Sequence, residues 1–125
     1  LLSPKVAYVL GAGDHGSTFG GNPVCAAGAQ SIIDRIDDNL LSAVVRKGEY
    51  IRSELSSLAG VNGICGMGLM LGIETQRAAA ELVVQGIDRG IIMLTAKNKL
   101  RLLPALNISD DELAQAVSIL KNMLS

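Results

Sequence analysis

Aromatic side chains are scarce in this 125-residue chain, which has no tryptophan, one phenylalanine (Phe19) and two tyrosines (Tyr8 and Tyr50). A base-stacking platform for single-stranded nucleic acid therefore has almost nothing to build on. Net positive charge is missing as well, since 11 Lys and Arg stand against 12 Asp and Glu. A near-neutral balance attracts neither a nucleic-acid backbone nor anionic lipid, and no nucleic-acid partner is expected. Histidine occurs once, at His15, and Cys25 and Cys65 lie far apart without a CxxC. Ligands at zinc spacing are lacking, so no metal is expected. The two cysteines read as small buried hydrophobes in a reducing compartment. No apolar run approaches the roughly 18 residues that a membrane span takes, and no basic segment leads into an apolar one near Leu1. A cytoplasmic location without a membrane partner is the expectation.

Apolar residues, at 49% of the chain, are what the sequence has in quantity, and a chain near this size buries roughly two-thirds of its unfolded surface. Residues 1 to 22 are turn-rich. From Pro23, well suited to a first helical position, Cys25, Ala29, Ile32 and Ile36 recur at helical spacing. Asp37-Asp38-Asn39 interrupts, and Leu41, Val44, Gly48, Ile51, Leu55 and Leu58 resume a helical stripe. Gly60 is expected to end that helix in a left-handed conformation, and Gly63 to Gly68 to form a flexible turn. Leu69, Leu71 and Ile73 alternate with Met70, Gly72 and Glu74 as in a half-buried strand. A short helix through Ala79, Leu82, Val83 and Gly86 should stop at Gly90. Ile91 to Leu94 and Leu100 to Leu103 read as two strands of a hairpin. Ser109 followed by Glu112 is a capping box, and Leu113, Val117, Leu120 and Leu124 make the stripe of a last helix. The pattern predicts an α+β fold, a small sheet with helices on one face.

An apolar run, Val6 to Leu10, precedes Gly11-x-Gly13-x-x-Gly16, the spacing of a dinucleotide-binding unit. That unit needs a helix to begin at its third glycine. Here Ser17-Thr18-Phe19-Gly20-Gly21-Asn22-Pro23 follows instead, and two glycines and a proline break any helix at that point. The loop still has phosphate-binding chemistry: its glycines let backbone N–H groups approach an anion, and Ser17 and Thr18 offer hydroxyls. An ordinary connecting loop fits the same composition.

Three longer stretches carry a resemblance. DHGSTFGGNPVCAAGAQSIID (residues 14 to 34), GMGLMLGIE (66 to 74) and LRLLPALNISDDELAQAVSIL (100 to 120) resemble, in order, motifs of the class III (subgroup II) pyridoxal-phosphate-dependent aminotransferases. Within that family the wording HGSTFGGNP and the ending Arg101-Leu102-Leu103-Pro104 are most similar to the acetylornithine aminotransferases. The resemblance implies the C-terminal small domain of a fold-type I transferase over residues 37 to 125, preceded by a terminal piece of the cofactor-binding large domain over residues 1 to 36.

It also implies roles. Thr18 matches a threonine that binds the phosphate of pyridoxal 5'-phosphate, reaching in from the neighbouring subunit of a homodimer. Ser17 matches a position beside the substrate, and Arg101 matches the arginine that grips an α-carboxylate. A guanidinium offers two parallel donors to a carboxylate, which suits that role. An exposed cation on an edge strand is the plainer reading of Arg101. Cys65 and Met67 stand where relatives usually have arginine and lysine, and Ala105 where they have a second proline. The lysine that forms the Schiff base lies upstream of the matched motifs in the family. Lys5, Lys47, Lys97, Lys99 and Lys121 therefore read as solvated surface charges. The resemblance implies a C-terminal portion, inactive alone, of an enzyme that transfers the amino group of N-acetylornithine or a related ω-amino donor to 2-oxoglutarate in arginine biosynthesis. The alternative is a stand-alone interaction or anion-binding module.

Overall fold

The computed structural model describes residues 3 to 125. Two units part between Ile36 and Asp37. In the first, a 3-10 turn at Pro4–Val6 leads through turns to one helix, α1, Pro23–Ile33. The strand required by a dinucleotide site is not formed between Val6 and Leu10, where the backbone runs through turns. Helix α1 starts where it does because Asn22 Oδ1 accepts from the amides of Val24 at 2.9 Å and Cys25 at 3.2 Å, with Pro23 contributing a preset φ. Every described residue of this unit is exposed, including Tyr8, Val9, Phe19, Val24, Ile32 and Ile33.

The second unit starts with α2, Asp38–Leu55, capped by Asp37, whose side chain accepts from the Leu40 amide at 2.8 Å. Strands β1 (Val61–Met67) and β2 (Met70–Thr75) form a hairpin, α3 (Ala79–Asp88) follows, and β3 (Leu94–Ala96) and β4 (Lys99–Leu102) form a second hairpin before α4, Asp110–Leu124. The sheet order is β1-β2-β4-β3, antiparallel at each pair. Alternation sets its faces. Leu71, Ile73, Leu100 and Leu102 point into a core shared with Ile51 and Leu55 of α2, Leu82 of α3, and Leu113, Val117 and Leu120 of α4. Met70, Gly72, Glu74, Lys99 and Arg101 face the other way. This is the α+β arrangement that the sequence predicts, helices on one face of a small sheet.

Several local expectations are corrected. Residues 63 to 67, expected in a turn, belong to β1, an edge strand whose Ile64 and Gly66 carbonyls accept from the Arg52 guanidinium at 3.0 and 2.7 Å. Gly60 has no positive φ and lies past the helix end at Ser56; its constraint is steric, since a Cβ there would stand 2.4 Å from the Leu124 carbonyl oxygen. The hairpin strand expected from Ile91 starts only at Leu94. Both cysteines are exposed rather than buried. Lys47, expected in solvent, is buried at 8% exposure; its ammonium donates to the Ile108 carbonyl and lies 3.7 Å from Asp110 Oδ1. A buried ammonium persists only where such partners compensate its lost hydration.

Candidate functional site

The first unit contributes Ser17 and Thr18, exposed neighbours in a turn closed by the Gly20 amide donating to the Ser17 carbonyl at 3.3 Å. The next turn is closed by the Asn22 amide on the Phe19 carbonyl at 3.2 Å, with Gly21 at φ +75°. Among the described residues no backbone acceptor takes the Thr18 or Phe19 amide, and neither the Ser17 nor the Thr18 hydroxyl is hydrogen-bonded. Open space surrounds Gly16, where a Cβ would meet nothing within 4 Å. Hydroxyls and uncommitted amides on an open glycine loop are a donor set suited to a phosphate. The loop thus fits the phosphate end of pyridoxal phosphate.

The second unit contributes Arg101 from the middle of β4. Directly across from it stand Gly72 on β2 and Leu94 on β3. Leu100 and Leu102, its chain neighbours, are buried at 0% and 7% exposure, which forces the side chain between them onto the face without helices. Arg101 is half-buried there and, among the described residues, its side chain takes part in no hydrogen bond or ion pair. It is not an edge residue, because β4 is paired on both sides. The edge-strand reading of Arg101 is thereby corrected.

Sequence reasoning misses two further members of this face. Lys99 Nζ lies 2.7 Å from Glu74 Oε1 and donates to Cys65 Sγ at 3.3 Å. The hydrogen bond to Glu74, then that to Cys65, pushes the Lys99 ammonium above its ordinary range. Period-two alternation through Gly72-Ile73-Glu74 and Lys99-Leu100-Arg101 is the signal that could have found them, once the two strands were known to pair.

The class-III aminotransferase family matches residues 1–124 of this chain. The chain belongs to the class-III aminotransferases. This class-III chain is 44% identical over its whole length to the acetylornithine aminotransferase of Haemophilus ducreyi, of which it covers 32%, and 42% identical to that of Corynebacterium efficiens, again over its whole length and 32% of the relative. Among solved structures, 93% of it superposes on 33% of an acetylornithine aminotransferase from Elizabethkingia anophelis, with TM-score 0.76 and 28% identity. Ornithine δ-aminotransferase of Plasmodium falciparum gives TM-score 0.74 at 25% identity, over 99% of this chain and 35% of that one. The chain thus spans about a third of the length of the relatives it matches. Its α+β fold is the one found in that third of these aminotransferases. No described helix is long and apolar enough to cross a membrane.

Proposed function

We propose that the chain is the C-terminal portion of an aminotransferase that moves an amino group from N-acetylornithine, or a related ω-amino donor, to 2-oxoglutarate. One observation carries the reading beyond family membership: Arg101, paired on both sides within the sheet, holds its guanidinium on the open face, where no carboxylate of the described residues pairs with it. A guanidinium in that state meets the α-carboxylate of an amino or oxo acid with two parallel hydrogen bonds. Substrate orientation is its role. Thr18 supplies a hydroxyl and an amide to the cofactor phosphate, and Ser17, beside it, a hydroxyl to the substrate. Pyridoxal phosphate, when bound, would supply the electron sink that labilises the C–H bond on the carbon carrying the transferred amino group.

The exposed apolar side chains of the first unit, with no buried residue among them, favour a piece of a larger folded domain over a stand-alone module. The working enzyme in this reading is a cytoplasmic homodimer in which Thr18 reaches the neighbouring subunit's cofactor. The lysine that bonds the cofactor lies upstream of these residues, so the 125-residue chain by itself is inactive. Full-length enzyme tests these roles. Thr18→Val should speed cofactor loss on dialysis, followed by absorbance, and Arg101→Ala should raise KM for both carboxylate substrates. Unchanged cofactor retention and unchanged KM would refute the assignments, and transamination by the isolated chain would refute its inactivity.

A further inference from the structure

The open face of the sheet carries one carboxylate: among all residues of β1 to β4, Glu74 alone is acidic. Its position threatens Arg101. The register pairs Gly72 with Arg101 and Ile73 with Leu100, so Glu74 stands opposite Lys99 and diagonal to Arg101. Diagonal neighbours on one face are roughly 7–8 Å apart at Cα, within the span of a glutamate and an arginine side chain together. Gly72, directly across from Arg101, puts no side chain in the way.

Lys99 occupies that ground instead. A Cβ on Gly72 would lie 3.4 Å from Lys99 Cδ and 3.3 Å from Cys65 Sγ, so the lysine stem leans over Gly72 and its ammonium docks between Glu74 Oε1 at 2.7 Å and Cys65 Sγ at 3.3 Å. Glu74 is spoken for, and Arg101 is not.

We infer that Lys99 is a positioning residue: by holding Glu74 it keeps the sheet's own carboxylate off Arg101 and leaves that guanidinium open to a substrate carboxylate. The inference rests on the carboxylate-binding role proposed for Arg101. It makes Glu74 an internal competitor that Lys99 neutralises. Loss of the lysine charge frees Glu74 beside its diagonal neighbour Arg101, whose side chain has no charged partner among the described residues.

The test uses the 125-residue chain with labelled arginine side chains, reading the Arg101 Nε–H resonance, and 2-oxoglutarate as the probe. Lys99→Met should shift that resonance in the absence of ligand as Glu74 accepts from it. It should also weaken the 2-oxoglutarate response by roughly two- to fivefold, the effect of one exposed ion pair. Lys99→Arg and the double variant Lys99→Met with Glu74→Gln should both return the resonance and the titration to the wild-type position. Glu74→Gln alone should leave them there. An Arg101 resonance that is the same in Lys99→Met as in wild type overturns the inference, whatever the titration shows. If the resonance moves as expected but Arg101→Ala leaves KM for 2-oxoglutarate unchanged in the full-length enzyme, the Glu74–Lys99 arrangement stands and the carboxylate-binding role of Arg101 falls.

Discussion

Gly48 of α2 and Gly68 of the β1–β2 turn meet backbone to backbone, so that a Cβ on Gly48 would stand 2.3 Å from the Gly68 carbonyl oxygen. Gly48→Ala sets two effects against each other. Helix propensity favours alanine by about 1 kcal/mol. Forcing a methyl into backbone costs about 1–3 kcal/mol or more, and here the obstacle is a peptide group that cannot rotate aside. The clash wins, and the urea midpoint should fall. Gly28, within α1, is the control of opposite sign. A Cβ there meets nothing within 4 Å, so Gly28→Ala should raise helicity by circular dichroism, with a gain of up to about 1 kcal/mol.

Leu100 and Arg101 are adjacent yet lie on opposite faces of β4, one at 0% exposure in the core and the other half-buried on the open face. Leu100→Ala should cost about 2–5 kcal/mol, the loss of buried methyls plus the cavity they leave. Arg101→Ala removes no hydrogen bond and should change stability by less than about 0.5 kcal/mol. A denaturation series on the two variants checks the pair. Equal losses would make Arg101 a structural residue and count against its substrate role.

What the sequence makes legible is what local chemistry decides. The capping box of α4, the alternation in β2 and the α2 stripe from Val44 to Leu55 depend on residues a few positions apart and form as expected, while Leu41, expected in that stripe, is exposed and Leu58 lies past the helix end. Strand β1 is not legible in that way. Its glycines read as a turn, because the groups that hold it extended are the β2 ladder and Arg52, donating from α2 to Ile64 and Gly66. Lys47 escapes for the same reason, since its partners Ile108 and Asp110 lie some 60 residues along the chain. Of the candidate site, the resemblance finds Ser17, Thr18 and Arg101. Glu74 and Lys99 stay hidden until β2 and β4 are in register, because neither residue means anything about Arg101 without the other strand.

Ser109 and Glu112 close the N-terminus of α4 reciprocally. The Glu112 amide donates to Ser109 Oγ at 3.2 Å, while the Ser109 amide and hydroxyl donate to Glu112 Oε2 at 3.1 and 2.6 Å. Ser109→Ala should destabilise the chain by about 1 kcal/mol, an N-cap's ordinary worth. The Ser109 hydroxyl, then its amide, holds the Glu112 carboxyl below its usual 4.5. A carboxyl lower in the folded state stabilises it above the unfolded value, and that contribution is lost as pH falls through the folded value. Wild type should therefore lose stability below about pH 4.5 more steeply than Glu112→Gln, measured by urea titrations at stepped acid pH. Parallel curves would show that the box makes no titrating contribution.

Lys121 ties α4 to α2 through Glu54, Nζ to Oε2 at 2.8 Å. The hydrogen bond to Glu54, and next its charge, raises the Lys121 ammonium above its ordinary 10.5. The sign on the alkaline side is the reverse of that for Glu112. A lysine raised in the folded state contributes fully below its unfolded value, and the contribution disappears as pH climbs through the higher folded one. Wild type and Lys121→Met should thus differ at neutral pH and converge above about pH 10.5. The difference between their melting curves is the quantity to follow, because whatever is common to the two proteins drops out of it. Both side chains are substantially exposed, 44% for Lys121 and 35% for Glu54, so the gap should be small and shrink further in high salt. A gap that persists unchanged beyond pH 11 or so would assign it to packing of the lysine stem across the α2–α4 contact instead.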